Sequence, residues 1–357
     1  MRLTHPHITP VAQPVGITFD GRPIPALPGE TVAAALSAAG VLTYRHTRSG
    51  APRGLWCGMG ACFDCLVTVD GRANQRACLV KVAPGMVVGS APPAAPAPLA
   101  PEPHDVAEEH RPDVLVVGAG PAGLAAAIAA AEAGCTVAVL DERDQPGGQY
   151  LKPLAAGHVH ARPDRQFRLA AAMRARAEAA GVAIHVSATA WGAFALPEGS
   201  RSAAGEIAAL VAGRNAVFRP RRLILAPGAH ERPVPIPGWT TPGVMTTGAL
   251  QTLARANRVS PGRRVVIAGN GPLNLQLACE LLDGGVEVIA VLEAAPRPGV
   301  RAWRDALALL AASPDLAWDG ARYLTRLRRA GVPVVWGATV AAVHPLPLHG
   351  RGRDPRR

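Results

Sequence analysis

The sequence predicts an α/β chain, with a small strand-rich N-terminal module followed by two β-α-β units, the second of them incomplete. Three observations carry this reading. Four of the six cysteines crowd into Cys57–Cys78. A short apolar run, Asp113-Val-Leu-Val-Val117, feeds directly into Gly118-Ala-Gly120-Pro121-Ala122-Gly123 and an alanine-rich stretch. The same succession returns at Arg264-Val-Val-Ile-Ala-Gly269-Asn-Gly271. Short β-branched runs suit strands covered on both faces, and helices between them return the chain for parallel pairing.

Residues 1–90 form the first predicted domain. Ile17–Ile24 reads as a hairpin turning at Asp20-Gly21, and Gly29–Leu36 starts a helix with Thr31 as its N-cap. Cys57, Cys62 and Cys65 follow as C-x4-C-x2-C, then a strand Leu66–Val69, a turn at Asp70-Gly71, and Cys78. This is the spacing of a plant-type [2Fe–2S] ligand set, which predicts a β-grasp, ferredoxin-like domain. Two irons need four converging thiolates, and Gly58 and Gly60 let the loop close around them. Structural zinc favours paired C-x2-C knuckles, and buried free thiols do not gather in a glycine-rich loop. Cys78 follows sooner than in photosynthetic ferredoxins, a gap closer to that of other β-grasp iron–sulfur domains.

Residues 91–112 are rich in Pro and Ala and predict an extended, semi-rigid linker. The second domain spans 113–258. Its strand, glycine turn and helix (Leu124 to about Ala133, stopped at Gly134) make a Rossmann-like dinucleotide fingerprint in its required context. Gly118 permits the tight turn, Gly120 the approach of a pyrophosphate, and Gly123 the close packing of helix on strand. Asp141, followed by Glu142, ends the next strand, where a carboxylate accepts ribose hydroxyls. Asp164–Ala180 reads as an amphipathic helix, Val182–Val186 as a strand, and Glu206–Arg219 as a hairpin turning at Gly213-Arg-Asn215. Glu231–Gly248 is a Pro/Gly path that reads as a fixed connector near the bound cofactor, and His230 as a loop histidine satisfied by its neighbours.

The third domain, 259–343, repeats the fingerprint with Gly269, Gly271 and a helix from Leu275 to about Leu282. Asn274 replaces the third glycine, which predicts looser helix–strand packing. Glu293 closes the unit and favours NAD over NADP, since a carboxylate repels a 2′-phosphate. Residues 344–357 are basic and Pro/Gly-rich and read as a disordered tail. Cys135 and Cys279 stand alone as core thiols, so no second dithiol supports disulfide-reductase chemistry.

Composition excludes other classes. The net charge is +11, yet the arginines are scattered and no basic helix carries interleaved aromatics, which argues against nucleic-acid binding. No apolar run reaches a membrane span and Met1-Arg-Leu-Thr-His-Pro has no signal core, so a cytoplasmic location is expected.

Pro146-Gly147-Gly148-Gln149 and Leu223-Ile-Leu-Ala226-Pro-Gly228-Ala229 resemble FAD-binding segments of the glutathione-reductase-like flavoproteins. The resemblance implies FAD in the first fingerprint, with the Ala226 turn passing beneath it. Cys57–Cys78, Gly118–Gln149, Ala226–Gly248 and Gly269–Glu293, as an ordered set, resemble a narrower family. It comprises the α-subunit-like flavoproteins of heteromeric sarcosine oxidase, hydrogen cyanide synthase, opine oxidase and D-hydroxyproline dehydrogenase. This resemblance implies an oxidoreductase component with FAD, a [2Fe–2S] cluster and possible NAD binding. It implies electron relay from an amine, amino acid or opine-type substrate oxidised at a flavin in a partner subunit. Members of that family continue further, so the chain reads as C-terminally shortened, with its second nucleotide layer unfinished. Catalytic residues are not identified. An NADH-dependent reductase passing electrons through FAD to the cluster stays open, as does a non-catalytic chain that retains an iron–sulfur module.

Overall fold

The computed structural model describes residues 1–10, 13–91, 107–196, 204–299 and 302–344. The chain divides into two units, one of Met1–His5, Ala12–Pro93 and Glu231–Arg357, the other of Pro6–Val11 and Ala94–His230. Residues 231–258, expected with the first nucleotide fingerprint, therefore group with the N-terminal module and the second fingerprint.

In the first unit, a five-stranded sheet runs in the order Arg22–Ala26, Val15–Phe19, Val87–Gly89, Leu66–Val69, Arg72–Arg76. Val15–Phe19 and Val87–Gly89 pair in parallel, and the other pairs are antiparallel. Asp20-Gly21 and Asp70-Gly71 turn the two hairpins, all four residues having positive φ. Helix Val32–Ala38 opens on Thr31, whose hydroxyl accepts the Ala34 N–H. It buries Val32 and Leu36 against Ile17, Ile24, Val67 and Val88. Tyr44 is buried beside it and donates to the Ala33 carbonyl at 3.0 Å.

The second fingerprint forms a parallel sheet in the order Arg264–Gly269, Glu287–Glu293, Val334–Trp336, with helix Pro272–Asp283 crossing between the first two strands. Helices Trp303–Ala312 and Pro314–Arg329 follow, without an expectation from the sequence. The regrouping of residues 231–258 has a packing cause. Helix Thr247–Gln251 continues as a wider π-turn, Thr252–Ala256. Leu250 and Ala254 join the core of the second fingerprint, whereas Leu253 joins that of the N-terminal module. One short segment thus serves two cores.

In the second unit, a parallel sheet runs Ala183–His185, Val137–Leu140, Val114–Val117, Arg222–Leu225. Helix Pro121–Glu132 starts three residues ahead of expectation, at the glycine turn itself, and helix Arg165–Ala179 opens on Asp164. A second sheet holds Ala188–Phe194, Glu206–Val211 and Arg214–Phe218 antiparallel. The expected hairpin is present, but its turn is Ala212-Gly213 and not Gly213-Arg-Asn215, because Arg214 and Asn215 already pair with Val211 and Leu210. The strand Ala188–Phe194 carried no sequence signal strong enough to predict it. Glu108–His110 adds in parallel to Arg214–Phe218, which corrects the end of the expected linker: residues 108–110 are strand. The rest of the Pro/Ala run, 92–106, and the tail, 345–357, lie outside the described residues. Among the described residues no helix is long and apolar enough to cross a membrane.

In the second unit, His110 stacks on Phe218 at 4.5 Å, and His185 meets His110 edge-on at 5.1 Å. Burial, then the neighbouring His110, lowers the His185 pKa from 6.5, and Glu108 opposes that shift. The folded state thus resists a proton that the unfolded chain accepts, and stability falls as pH drops below about 6.5. His185→Gln removes this contribution. Thermal melts at pH 7.5 and 5.5 are expected to differ less for the variant than for the parent.

Candidate cofactor sites

The four motif cysteines come together in the first unit as two pairs. Cys57 lies against Cys62 and Cys65 against Cys78, each pair sharing a thiol hydrogen bond. Three of them are buried, and Cys62 is half-buried. The hydrogen bond from Cys62, opposed by burial, holds Cys57 down to about 5, while its partner is pushed up. Backbone N–H groups also aim at sulfur: Met59 donates to Cys57 at 3.4 Å and Asp64 to Cys62 at 3.5 Å. Gly60 donates to Cys78. Among the described residues no three His, Cys, Asp or Glu side chains close on one ion-sized point. Two thiol pairs fit two irons with two thiolates each, and the N–H donors stabilise anionic sulfur.

The cluster loop is pressed on the rest of its unit. A Cβ on Gly58, whose φ is +64°, would stand 2.8 Å from the Ala249 Cα. The Thr246 N–H donates to the Trp56 carbonyl at 3.0 Å, and the Trp56 and Trp239 rings meet edge-on at 4.8 Å. Arg45 donates to the carbonyls of Phe63 and Asp64, and Arg76 to that of Gly60. Arg45 and Arg53 both face the Asp64 carboxylate, at 3.7 and 3.6 Å.

In the second unit three loops meet beyond the C-terminal ends of the parallel strands. The Gly118 N–H donates to Leu140 at 2.7 Å, that of Ala226 to Val117 at 2.8 Å, and that of Gly147 to Ala119 at 2.8 Å. The approach is too close for side chains. A Cβ on Gly118 would lie 2.1 Å from the Ala226 carbonyl oxygen, and one on Gly148 2.7 Å from the Gly120 Cα. Gly123 would place a Cβ 1.8 Å from the Gly118 oxygen, so helix Pro121–Glu132 rests directly on the turn, with Pro121 and Ala122 in its first turn. Gly147 and Gly148 therefore lie over the same helix N-terminus as Gly118 and Gly120, with Gln149 next in the chain and Ala226 and Gly228 in the adjoining turn. A cradle of bare backbone at a helix start fits a dinucleotide pyrophosphate.

The structure gives the two adjacent carboxylates at the end of the strand Val137–Leu140 separate places. Asp141 is buried, with Oδ2 accepting the Ala119 N–H at 2.6 Å and Oδ1 the Arg143 N–H at 2.9 Å. It ties the glycine turn to its strand, whereas its position in the sequence predicts a contact to ribose. Glu142, next to it, is exposed.

Gly269, Gly271 and Glu293 come together in the first unit and repeat this device. Glu293 is buried, Oε2 accepting the Gly271 N–H and Oε1 the Ala295 N–H, both at 3.1 Å. Asn274 does more than fill the third glycine position: it is buried and accepts the Thr247 hydroxyl at 2.8 Å. A Cβ on Gly269 would stand 3.0 Å from its Nδ2. The expected loosening is thus replaced by a polar contact to the helix that also carries Ala249. The signal was the Asn itself, whose partner lies 27 residues away. The connector 231–248 belongs to this unit, and the Glu231 carboxylate accepts the Gly248 N–H at 2.6 Å.

Two family models match. That of the 2Fe-2S iron-sulfur cluster binding domain covers residues 12–93, and that of pyridine nucleotide-disulphide oxidoreductase covers 112–347. The chain is 40% identical over 192 residues to one subunit of the opine oxidase of Agrobacterium tumefaciens, covering 52% of this chain and 37% of that one. It is 37% identical over 232 residues to the HcnB subunit of the hydrogen cyanide synthase of Pseudomonas aeruginosa, covering 62% of this chain and 47% of the relative. The alpha chain of the sarcosine oxidase of Rhizobium meliloti is 31% identical, with 80% of this chain and 35% of that one covered. The chain thus spans less than half the length of each of these relatives. Among solved structures, L-proline dehydrogenase from P. horikoshii aligns with a TM-score of 0.64 at 21% identity, over 83% of this chain and 57% of that one, a likeness of fold.

Two substitutions test these geometries. Gly58→Ala forces a side chain onto Ala249 in a left-handed backbone, at a cost of about 1–3 kcal/mol, and is expected to lower both melting temperature and iron per chain. Asp141→Ala leaves two backbone N–H groups without their acceptor, at about 1–3 kcal/mol each. Urea unfolding is expected to show the loss in the second unit, with the thiol pairs of the first still able to load iron.

Proposed function

The chain belongs to the pyridine nucleotide-disulphide oxidoreductase family and carries a 2Fe-2S binding domain ahead of it, and on that premise we propose that it is an electron-relaying component of an FAD-dependent oxidoreductase. One observation carries the proposal: a single chain presents a paired four-thiol loop and a bare-backbone dinucleotide cradle. FAD, when bound, accepts electron pairs, and a [2Fe–2S] cluster passes electrons singly. Cys57, Cys62, Cys65 and Cys78 would hold the cluster. Gly118, Gly120, Gly123, Gly147 and Gly148 would hold the FAD pyrophosphate, and Gln149, Ala226 and Gly228 would line its path. Glu142, the exposed carboxylate, would accept the ribose hydroxyls while Asp141 keeps the turn in shape. The second turn, with Gly269 and Gly271, would take NAD.

The names of the relatives, opine oxidase, hydrogen cyanide synthase and sarcosine oxidase, support donors of the amine, amino-acid or opine type. Their designation as subunits supports a partner subunit; on this reading the partner oxidises the amine and this chain relays the electrons in the cytoplasm.

An anaerobic absorption spectrum with iron and flavin quantified tests the reading. About two irons and one FAD per chain are expected, with flavin bleached by substrate only when the partner is present. Bleaching by NADH alone would replace the proposal with an NADH-dependent reductase, and iron without flavin would reduce the chain to an iron–sulfur module. Glu142→Ala is expected to weaken FAD binding about tenfold, read by flavin fluorescence titration, with stability changed by less than about 0.5 kcal/mol.

A further inference from the structure

Phe63 stands in the chain between two of the thiols, Cys62 and Cys65, one from each pair, yet its side chain points away from the core. It is 55% exposed, in a loop whose cysteines are otherwise buried or half-buried. Its backbone is left-handed, with φ +58°, a conformation rare for an aromatic residue. Arginines maintain that posture. Arg45 donates to the Phe63 carbonyl at 3.3 Å, and the Arg76 guanidinium lies 5.6 Å from the ring centroid. A cation over an aromatic face holds the ring without burying it. Arg53 stands nearby on Asp64. The turn between Arg45 and Arg53 adds Arg48, which is exposed. Asp64 is the opposing charge in the loop and is already faced by Arg45 and Arg53.

From this juxtaposition we propose that the Phe63 loop, with its arginine rim, is the docking surface for an acidic one-electron carrier protein. The proposal rests on the reading of the thiol loop as a [2Fe–2S] site and adds the partner of that site. An exposed aromatic in a positive rim has the composition of an interface centre with a steering periphery. Cys62, the least buried ligand, adjoins Phe63 in sequence, so a protein seated on the ring approaches the cluster at its most accessible edge. At each encounter the carrier gains one electron and the bound cluster loses one. The chain supplies no proton, since any that the reduced carrier takes up comes from solvent, and no third reactant is required. Two encounters clear the pair of electrons delivered by one substrate oxidation.

Stopped-flow reoxidation of the reduced, cluster-loaded chain tests this. An acidic flavodoxin serves as the probe, a basic cytochrome c as the charge control, and calorimetry on the oxidised proteins reads binding directly. The flavodoxin is expected to bind at low salt and to react at least about tenfold faster at low than at high salt, since a Debye length of about 3 Å at 1 M screens the rim. The cytochrome should show no such acceleration. Phe63→Asn keeps a residue tolerant of the left-handed backbone while removing the ring. It is expected to leave the cluster spectrum and the rate with ferricyanide unchanged, and to lower flavodoxin affinity and rate about tenfold. Arg48→Glu is expected to lower the same two quantities and flatten their salt dependence. An intact cluster spectrum with charge-blind rates, or with both variants as fast as the parent, would overturn the docking surface alone. A parent chain that takes up no cluster would overturn the surface together with the reading beneath it.

Discussion

In both nucleotide units, a carboxylate at the end of the second strand holds the glycine turn that follows the first. Asp141 accepts from Ala119, and Glu293 from Gly271. A glycine turn has no side chains with which to hold itself, and its conformational freedom is large. The carboxylate supplies the missing restraint, with a charged acceptor whose bonds to N–H groups exceed neutral ones in strength. Burial of Asp141 and Glu293 is tolerated because each carboxylate has both oxygens hydrogen-bonded. The cradle and the helix start that rests on it depend on that restraint.

The cluster loop is held differently. Its turns are set by glycines, and its outward shape by Arg45 and Arg76 gripping carbonyl oxygens. Its inward face is set by contact with Ala249 on the segment shared by two cores. That segment also carries Thr247, which donates to Asn274 at the start of the second nucleotide helix. Thiol loop and second nucleotide turn are therefore braced by neighbouring residues of one short helix. The close approach explains why Gly58 stands after Cys57.

Patterns of local period and spacing were legible in advance: the cysteine set, the two fingerprints, the Thr31 cap, the helix that opens near Asp164 and the two Asp-Gly hairpin turns. Each depends on chemistry within a few residues, or on a spacing that few other structures require. The strand Ala188–Phe194 was not legible, because Gly192 and a register shift after Ala190 interrupt its alternation. The strand Glu108–His110 was hidden for a related reason. Three charged or polar residues beside a proline-rich run have no strand signature, and pairing with Arg214–Phe218 supplies what propensity does not.

The sequence by itself determined the kind of chemistry: thiolates in a plant-type spacing, and bare backbone before a helix. Those needs are written in residue type. Tertiary structure alone decided the duties of individual residues. Asp141 and Glu142 are adjacent carboxylates, and only folding buries one against Ala119 while leaving the other exposed. Asn274 reads as a weakened glycine position until Thr247 is brought to it. Residues 231–258 read as part of the first nucleotide domain until their apolar side chains find two other cores. Partners distant along the chain have no fixed period, so their meeting is a property of packing, not of pattern.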